Sequence, residues 1–449
     1  MRKNVNLTEG PLFKSMWAYA IPVIFSGILQ LLFNAADLVV VGRFSGSLSV
    51  AAVGATTSVI SLFVNLFVGL SVGVGVTVAM ALGAGNRERV TQAVHTAVPV
   101  AALSGLLLAV LGIAATQPLL LFMDTPEDIL SLSALYMRIY FCGMPASLVY
   151  NYGAAIMRAE GDTKRPLYYL TAAGAVNVTL NLVFVVRFHW DVAGVALATA
   201  VSQTLSALLV LRALTKNQGA CRLELRKMHI YREPLLRILR LGLPAGLQSA
   251  LFSVSNIIIQ SSVNSFGSVA VAGNSAAANI EGFTYISMNA FNQVGMNFVG
   301  RNYGAGNKER ILRIRWYCLL DVSMVGLVMG VGSFIFARQL LGIYIPDSPE
   351  AVAYGVIRMS WICLPYMLNG LHDVMTGVLR GLGCSLPPML ITVFCICCLR
   401  IVYVYTLFRI PRFHTLPMLY ATYPLSWIVT FIALTVCYES IKRKRLKTI

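Results

Sequence analysis

The stretch GAGNRER at residues 83–89 recurs as GAGNKER at residues 304–310, with six of seven positions matching at an offset of 221. Two prolines, Pro22 and Pro244, lie nearly the same distance apart, 222 residues. Self-similarity at a fixed distance is typical of a duplicated structural unit. The chain is therefore predicted to contain two copies of one unit, each filling half of its length.

The composition places both copies in a membrane. Of 449 residues, 57% are hydrophobic and 12% are charged, and the mean hydropathy is +0.73, whereas soluble domains carry about 25% charged residues. So few charges cannot keep that much apolar surface in water, which excludes soluble folds. The first apolar run, Met16 to Val41, is too long for the apolar core of a signal peptide, so we expect it to be retained as the first span.

The apolar runs predict twelve spanning helices, because one span needs about 20 mostly apolar residues. The runs lie near residues 15–41, 51–82, 92–115, 133–156, 166–187, 192–214, 238–263, 272–302, 312–336, 352–379, 387–408 and 415–438. Six spans per copy is an even number, so both copies enter the membrane from the same side as a parallel repeat. The predicted fold is an all-α integral membrane protein with twelve transmembrane helices in two six-helix lobes, which permits alternating access by rocking of the lobes.

The placement of Lys and Arg predicts the topology. Most of the 35 basic residues lie in segments on the same side as both termini, with Arg409 and Arg412 as a local exception. Cytoplasmic loops collect basic residues, so we expect a multi-pass protein of the inner (cytoplasmic) membrane with cytoplasmic N- and C-termini. The net charge of +17 then reflects contact with anionic membrane lipids, not a nucleic-acid partner. The predicted divisions are an N-lobe at 1–214, a basic cytoplasmic linker at 215–237, a C-lobe at 238–441 and a basic tail at 442–449.

Ionisable residues inside spans are functional candidates, since a charge in hydrocarbon is costly. Asp37 lies in the outer half of the first span, on a helix that Pro22 allows to bend as a hinge. The fifth span carries Asn177 and Asn181 on one helix face, and the sixth carries Thr199 and Gln203 at the same i, i+4 spacing. A desolvated carboxylate among amides and a hydroxyl can exchange a proton or hold a cation. Interhelical hydrogen bonding is the competing structural explanation.

Further polar residues in the spans are candidates for a substrate cavity: Asn34, Gln203, Asn256, Gln260, Glu281, Asn369 and Asp373. The two acids in this set also have structural explanations. Glu281 can reach the membrane interface, and Asp373 can pair with Arg380, which follows it by two helical turns. A fourth intramembrane acid, Asp321, is expected to be structural because it lies near the inner end of its helix.

No catalytic or metal-binding pattern accompanies these residues. Cys395, Cys397 and Cys398 form a cluster without a histidine at ligand spacing, and no two of the five histidines have ligand spacing. A membrane enzyme would need a nucleophile with its base or a metal cluster. We therefore predict no metal, no cofactor other than a coupling ion, H+ or Na+, and no enzymatic activity.

Several motifs together resemble the multidrug and toxic compound extrusion (MATE) family of secondary transporters. They are Pro22 with DLVVVGR at 37–43, the two GAGN-x-ER loops, RAEGDTKRP at 158–166 and GVALAT at 194–199. For each glycine loop, a simpler explanation is that Gly permits the turn, Asn caps the next helix and Arg anchors it inside. The resemblance covers nearly the whole chain and implies a V-shaped pair of lobes exporting organic, often cationic and aromatic, compounds against inward proton or sodium flux.

The resemblance also implies roles for individual residues. Asp37 matches the family's coupling acid of the first helix, and Asn177 and Thr199 match polar positions of the same site, whereas Asn181 stands where many members have Asp. The sodium-coupled branch has a Glu at the position of Phe252 and an Asp at the position of Asn369, so this chain is similar to the bacterial branch that lacks the helix-seven Glu. Coupling is therefore expected through Asp37, in a protein that functions as a monomer with small organic substrates and membrane lipids as partners.

A lipid-linked oligosaccharide flippase of related two-lobe architecture is the alternative. Such a protein would need a basic cavity for a pyrophosphate, and the intramembrane arginines available for it are Arg138, Arg358 and Arg400. These three residues would have to point together into the cleft.

Overall fold

The computed structural model describes residues 4–447, whose regular structure is entirely helical. Arg2, Lys3 and the last two residues of the predicted tail lie outside the described residues. The helices are α1 Leu12–Phe44, α2 Ser47–Gly83, α3 Arg87–Phe122, α4 Glu127–Cys142, α5 Met144–Glu160, α6 Lys164–Asn181, α7 Asp191–Thr215, α8 Arg232–Asn264, α9 Ser268–Gly304, α10 Lys308–Ile335, α11 Ala337–Tyr344, α12 Pro349–Ile362, α13 Met367–Gly381, α14 Leu386–Thr392, α15 Leu399–Tyr405 and α16 Leu416–Arg445.

The predicted all-α membrane fold is confirmed. Within residues 4–447, nine helices are long and apolar enough to span a membrane. Two helix pairs, α4 with α5 and α12 with α13, are long and apolar enough when each pair is taken as one span, and they are bent by 45° and 49° between their two helices. The remaining predicted run, 272–302, coincides with α9, which is 37 residues long but is not among the helices that meet the apolarity criterion. Six asparagines and Glu281 lower its hydropathy.

The duplication is visible in the helix bounds. The spans Lys164–Arg187 and Leu386–Arg409 differ by 222 residues at both ends. The bent pairs starting at Glu127 and Pro349 differ by the same number. Corresponding spans of the two copies therefore have similar lengths, and the span that is interrupted by a bend in one copy is also interrupted in the other.

The spans Lys164–Arg187 and Leu386–Arg409 each contain a π-helical turn. The first turn is Leu182–Arg187, directly after Asn181, and the second is Val393–Cys398, two residues before Arg400. In π-helical turns the backbone hydrogen bonds join residues i and i+5 in place of i and i+4. This changes the direction of neighbouring side chains, and such turns are frequent at functional sites. The cysteine cluster lies in the second turn, where Cys397 Sγ donates to the carbonyl of Leu251 at 3.6 Å.

The chain packs as two compact units. Unit 1 contains the described residues through Leu7 together with Ile21–Ala250, and unit 2 contains Thr8–Ala20 and the described residues from Leu251 onward. Helix α1 changes unit just before Pro22, and helix α8 changes unit six residues after Pro244. The predicted division into lobes, linker and tail remains a prediction, since these units are defined by packing and not by the repeat.

The first part of α8 packs against α2 in unit 1 through glycines. A Cβ on Gly69 would lie 2.2 Å from Gly246 Cα, and a Cβ on Gly73 would lie 2.3 Å from the carbonyl oxygen of Ile238. On the other helix, a Cβ on Gly242 would lie 2.6 Å from Leu70 Cα. Small residues allow backbones to approach this closely in membrane helices.

The predicted linker is bound to unit 1. Cys221 and Leu223 are buried. The backbone N–H of Glu224 donates to His95 Nε2 at 3.1 Å, and the N–H of Tyr231 donates to Thr96 Oγ1 at 3.1 Å. Both acceptors lie on α3, so this polar segment is fixed along the end of that helix.

The segment Thr8–Ala20 is held in unit 2 by an indole and a buried acid. Trp17 Nε1 donates to Asp321 Oδ1 at 3.2 Å, and the Trp17 ring lies edge-on to Phe291 at 5.2 Å between centroids. Asp321 is fully buried. This contact is consistent with the structural role expected for Asp321.

The two glycine loops differ in their caps. Gly85 and Gly306 have φ of +65° and +74°, which glycine adopts without steric cost. Asn86 Oδ1 accepts from the N–H of Arg89 at 2.9 Å and caps α3 as expected. The same expectation is wrong for Asn307, which makes no side-chain cap and instead contacts Asn302 Oδ1 through Nδ2 at 3.4 Å.

This difference predicts unequal effects of one substitution in the two loops. Asn86→Ala should lower the free energy of unfolding by about 1 kcal/mol, the usual loss when a capping side chain is removed. Asn307→Ala should have a clearly smaller effect because it removes no cap. Thermal unfolding of the two purified variants in detergent measures both, and equal losses would contradict the assignment of the cap to Asn86.

Candidate functional site

A polar cavity lies within unit 1, enclosed by residues of helices α1, α2, α4, α5, α6 and α7. Its volume is about 430 Å³, which is in the range of small-molecule sites. Its polar lining consists of Gln30, Asn34, Asp37, Asn65, Tyr140, Ser147, Tyr150, Asn151, Asn177, Thr199, Ser202, Gln203 and Ser206. Asp37 is the one carboxylate among the described residues of this lining.

Asp37 is the centre of a hydrogen-bonded cluster that joins three helices. Asn181 Nδ2 donates to Asp37 Oδ1, and Thr199 Oγ1 donates to Asp37 Oδ2 at 3.4 Å. Asn177 Nδ2 donates to Thr199 Oγ1 at 3.4 Å, and Asn181 Nδ2 also donates to Asn177 Oδ1 at 3.4 Å. The four residues predicted as the coupling site therefore form one contiguous cluster.

The hydrogen bonds of this cluster can be satisfied both when Asp37 is ionised and when it is protonated. Donors to both carboxylate oxygens favour the ionised form. Thr199 Oγ1 also lies 3.0 Å from the carbonyl oxygen of Val195, so its hydroxyl can turn to that acceptor when Asp37 is protonated. Asp37 Oδ2 then donates to Thr199 Oγ1, and no polar atom of this pair loses its partner.

Among the described residues, no hydrogen-bond donor is found for two carbonyl oxygens of the site. They are Asn181 Oδ1 and Gln203 Oε1, both buried. Unsatisfied buried acceptors call for an explanation such as a bound ion or water. Amide oxygens and the Asp37 carboxylate are ligand types that a hard cation such as Na+ prefers. The carboxylate and the amide oxygens of this site are therefore suited to a proton or a sodium ion.

The remaining N-terminal candidates have different positions. Asn34 and Gln203 line the cavity. Pro22 lies inside the continuous helix α1, two residues past the end of the segment that belongs to unit 2, and its carbonyl accepts from Ser26 Oγ at 2.8 Å.

Glu281 and Gln260 belong to a separate polar cluster in unit 2. Arg358 binds Glu281 bidentately, with Nε and Nη2 at 2.9 and 2.7 Å from the two carboxylate oxygens. Arg358 Nη1 also donates to Asn274 Oδ1 at 2.7 Å, and Asn274 Nδ2 donates to Gln260 Oε1 at 2.8 Å. Glu281 is therefore a buried ion-pair partner and does not reach an interface.

The other C-terminal candidates do not join that cluster. Asp373 Oδ2 accepts from Asn289 Nδ2 at 3.2 Å, and Asn369 Oδ1 lies 3.0 Å from His372 Nε2. Asn256 is exposed on α8. Whether any of these side chains contacts substrate remains a prediction.

The sequence reasoning missed part of the cavity wall. Asn65, Asn151 and Tyr140 line it alongside Asp37. Each asparagine interrupts an otherwise apolar span, and that signal could have identified both. Tyr140 stacks on Tyr136 at 6.0 Å between ring centroids, a pair that the i, i+4 spacing of the two tyrosines could have indicated.

The three intramembrane arginines of the flippase alternative are in different environments. Arg138 is exposed and belongs to unit 1. Arg358 is neutralised by Glu281. Arg400 is buried next to Tyr423, with its guanidinium carbon 4.1 Å from the ring centroid.

The fold and the site together define a class of protein, membrane transporters built from two six-helix repeats. The MatE family model matches residues 22–183 and 244–406, one segment in each copy. The probable multidrug resistance protein YoeA of Bacillus subtilis is 26% identical over 96% of this chain and 95% of its own length. The probable multidrug resistance protein NorM of Thermotoga maritima is 26% identical over 84% and 82%. The crystal structure of MATE in complex with MaL6 has a TM-score of 0.91 at 22% identity, covering both chains completely.

This chain belongs to the MatE family. It is accordingly a multi-span membrane transporter and not an enzyme. The resemblance inferred from the motifs is thereby confirmed.

Proposed function

We propose that this protein is a secondary active antiporter that exports organic, often cationic and aromatic, compounds in exchange for H+ or Na+ bound at Asp37. It acts as a monomer in the cytoplasmic membrane, with both termini on the cytoplasmic side. The names of the relatives as multidrug resistance proteins support an organic cargo.

The observation that carries the proposal is the single carboxylate of the unit 1 cavity. Asp37 lies among amides, hydroxyls and two tyrosines in a space of about 430 Å³. A cationic cargo and a coupling ion both require this negative charge. Because one carboxylate cannot neutralise both at once, binding of one favours release of the other, which is the requirement for exchange.

The hydrogen bonds suggest how ion binding is transmitted. Protonation or Na+ binding at Asp37 changes the hydrogen bonds that Asn181 Nδ2 and Thr199 Oγ1 make to its carboxylate, and with them the contacts of α6 and α7 with α1. Such a change biases a helix bundle that has two arrangements. Pro22 gives α1 a point at which to bend.

Efflux of rhodamine 123, a fluorescent organic cation, from proteoliposomes tests the proposal. A proton gradient and a sodium gradient are imposed separately on the same preparation. We expect one gradient to accelerate efflux above that of protein-free liposomes, and that gradient identifies the ion. Efflux at the protein-free rate under both gradients would contradict cation antiport.

A further inference from the structure

We propose that Arg400 forms an anion-binding subsite in unit 2 that takes the carboxylate or another acidic group of an aromatic cargo. This inference rests on the proposed function, since it specifies the chemical class of the exported compounds. It extends that class from organic cations to zwitterions and organic anions.

Arg400 is a buried cation without an acidic partner among the described residues. Its exposed fraction is 3%. Its Nε donates to Ser426 Oγ at 3.2 Å, and its guanidinium lies over the ring of Tyr423 at 4.1 Å. The groups that interact with its charge include Tyr423, Cys397, Arg358, Tyr366 and His372, and none of these is a carboxylate.

The neighbouring acid is already neutralised. Both oxygens of Glu281 accept from Arg358, which also donates to Asn274. The guanidinium of Arg358 lies 5.8 Å from the same Tyr423 ring that Arg400 covers. The cluster therefore holds two guanidinium groups and one carboxylate, and its excess charge of +1 resides on Arg400.

A guanidinium in this position is incompletely compensated. An unpaired charge in a low-dielectric interior is costly. The contact with Tyr423 offsets part of this cost, and the neutral hydroxyl of Ser426 adds one ordinary hydrogen bond. The fork of N–H donors on arginine matches a carboxylate bidentately, so an anion completes the site.

The surroundings of Arg400 fit an aromatic anion. Trp427 lies 5.8 Å from Tyr423 and 5.5 Å from Tyr366 between ring centroids. Tyr423 is half-buried, so its ring is not fully enclosed by the surrounding helices. The π-helical turn Val393–Cys398 ends two residues before Arg400.

Two dyes that differ by one acidic group test the subsite. Rhodamine 110 is a zwitterion with a carboxylate, and rhodamine 123 is its cationic methyl ester. Fluorescence polarisation with the full-length protein in detergent gives a Kd for each. We expect Arg400→Gln to raise the Kd of rhodamine 110 about tenfold, which corresponds to about 1.4 kcal/mol, and to leave the Kd of rhodamine 123 unchanged.

Two variants serve as controls. Arg400→Lys keeps the positive charge and should keep the preference for rhodamine 110, which separates loss of charge from loss of folding. Arg138→Gln removes an exposed arginine of unit 1 and should change neither Kd.

Three outcomes would overturn the proposal. The first is an unchanged ratio of the two Kd values in Arg400→Gln, and the second is equal weakening of both dyes. The third is displacement of rhodamine 110 by phosphatidylglycerol from the wild-type protein but not from Arg400→Gln, which would assign the site to a lipid headgroup. If the ratio depends on Arg400 but neither ion gradient drives efflux, the antiport function fails and the subsite stands.

Discussion

Replacing Asp37 with Asn should abolish gradient-driven efflux of rhodamine 123, reducing the rate to that of protein-free liposomes, while the protein stays folded. The amide keeps the size of the side chain and can still accept from Thr199. It cannot take up a proton or neutralise a cation, so the ion gradient can no longer drive transport through this residue. Efflux in proteoliposomes under the effective gradient measures this result.

Asp124→Asn is the matched control for this experiment. Asp124 is an exposed carboxylate outside the helices, with φ of +51°, a conformation that asparagine tolerates. Efflux by this variant should equal that of the wild type. Wild-type efflux by the Asp37 variant would remove Asp37 from the coupling mechanism.

Replacing Glu281 with Met should destabilise unit 2 by about 3–5 kcal/mol, the usual cost of leaving a buried charge unpaired. Arg358 then retains Asn274 as its hydrogen-bond partner and loses the carboxylate that neutralises it. Size-exclusion chromatography after heating in detergent reports the loss of folded protein.

Two controls separate the buried charge from the loss of a glutamate. Glu224→Met removes the acid of an exposed pair with Lys227, 2.7 Å apart, and should leave the stability nearly unchanged. The double variant Glu281→Met with Arg358→Met leaves neither charge buried and should recover most of the lost stability. A double variant as unstable as the single one would show that the ion pair itself provides the stability.

The sequence by itself determined the spans, the duplication and the principal candidate residues. Apolar runs of about 20 residues must become helices in a membrane, because every backbone N–H and C=O must be satisfied within the segment. Helical spacing placed Asn177 and Asn181 on one face, and Thr199 and Gln203 on another. These inferences depend on local periodicity, which a single chain displays directly.

Only the tertiary structure decided which side chains meet. The contact of Asp37 with Asn181 joins positions 144 residues apart, and the pairing of Glu281 with Arg358 joins positions 77 apart. The asparagine of the second glycine loop turns from its cap to Asn302 although the loop repeats the first almost letter for letter. Hydrogen bonds and charge pairing depend on distances between helices, and these distances are set by the packing of whole helix surfaces.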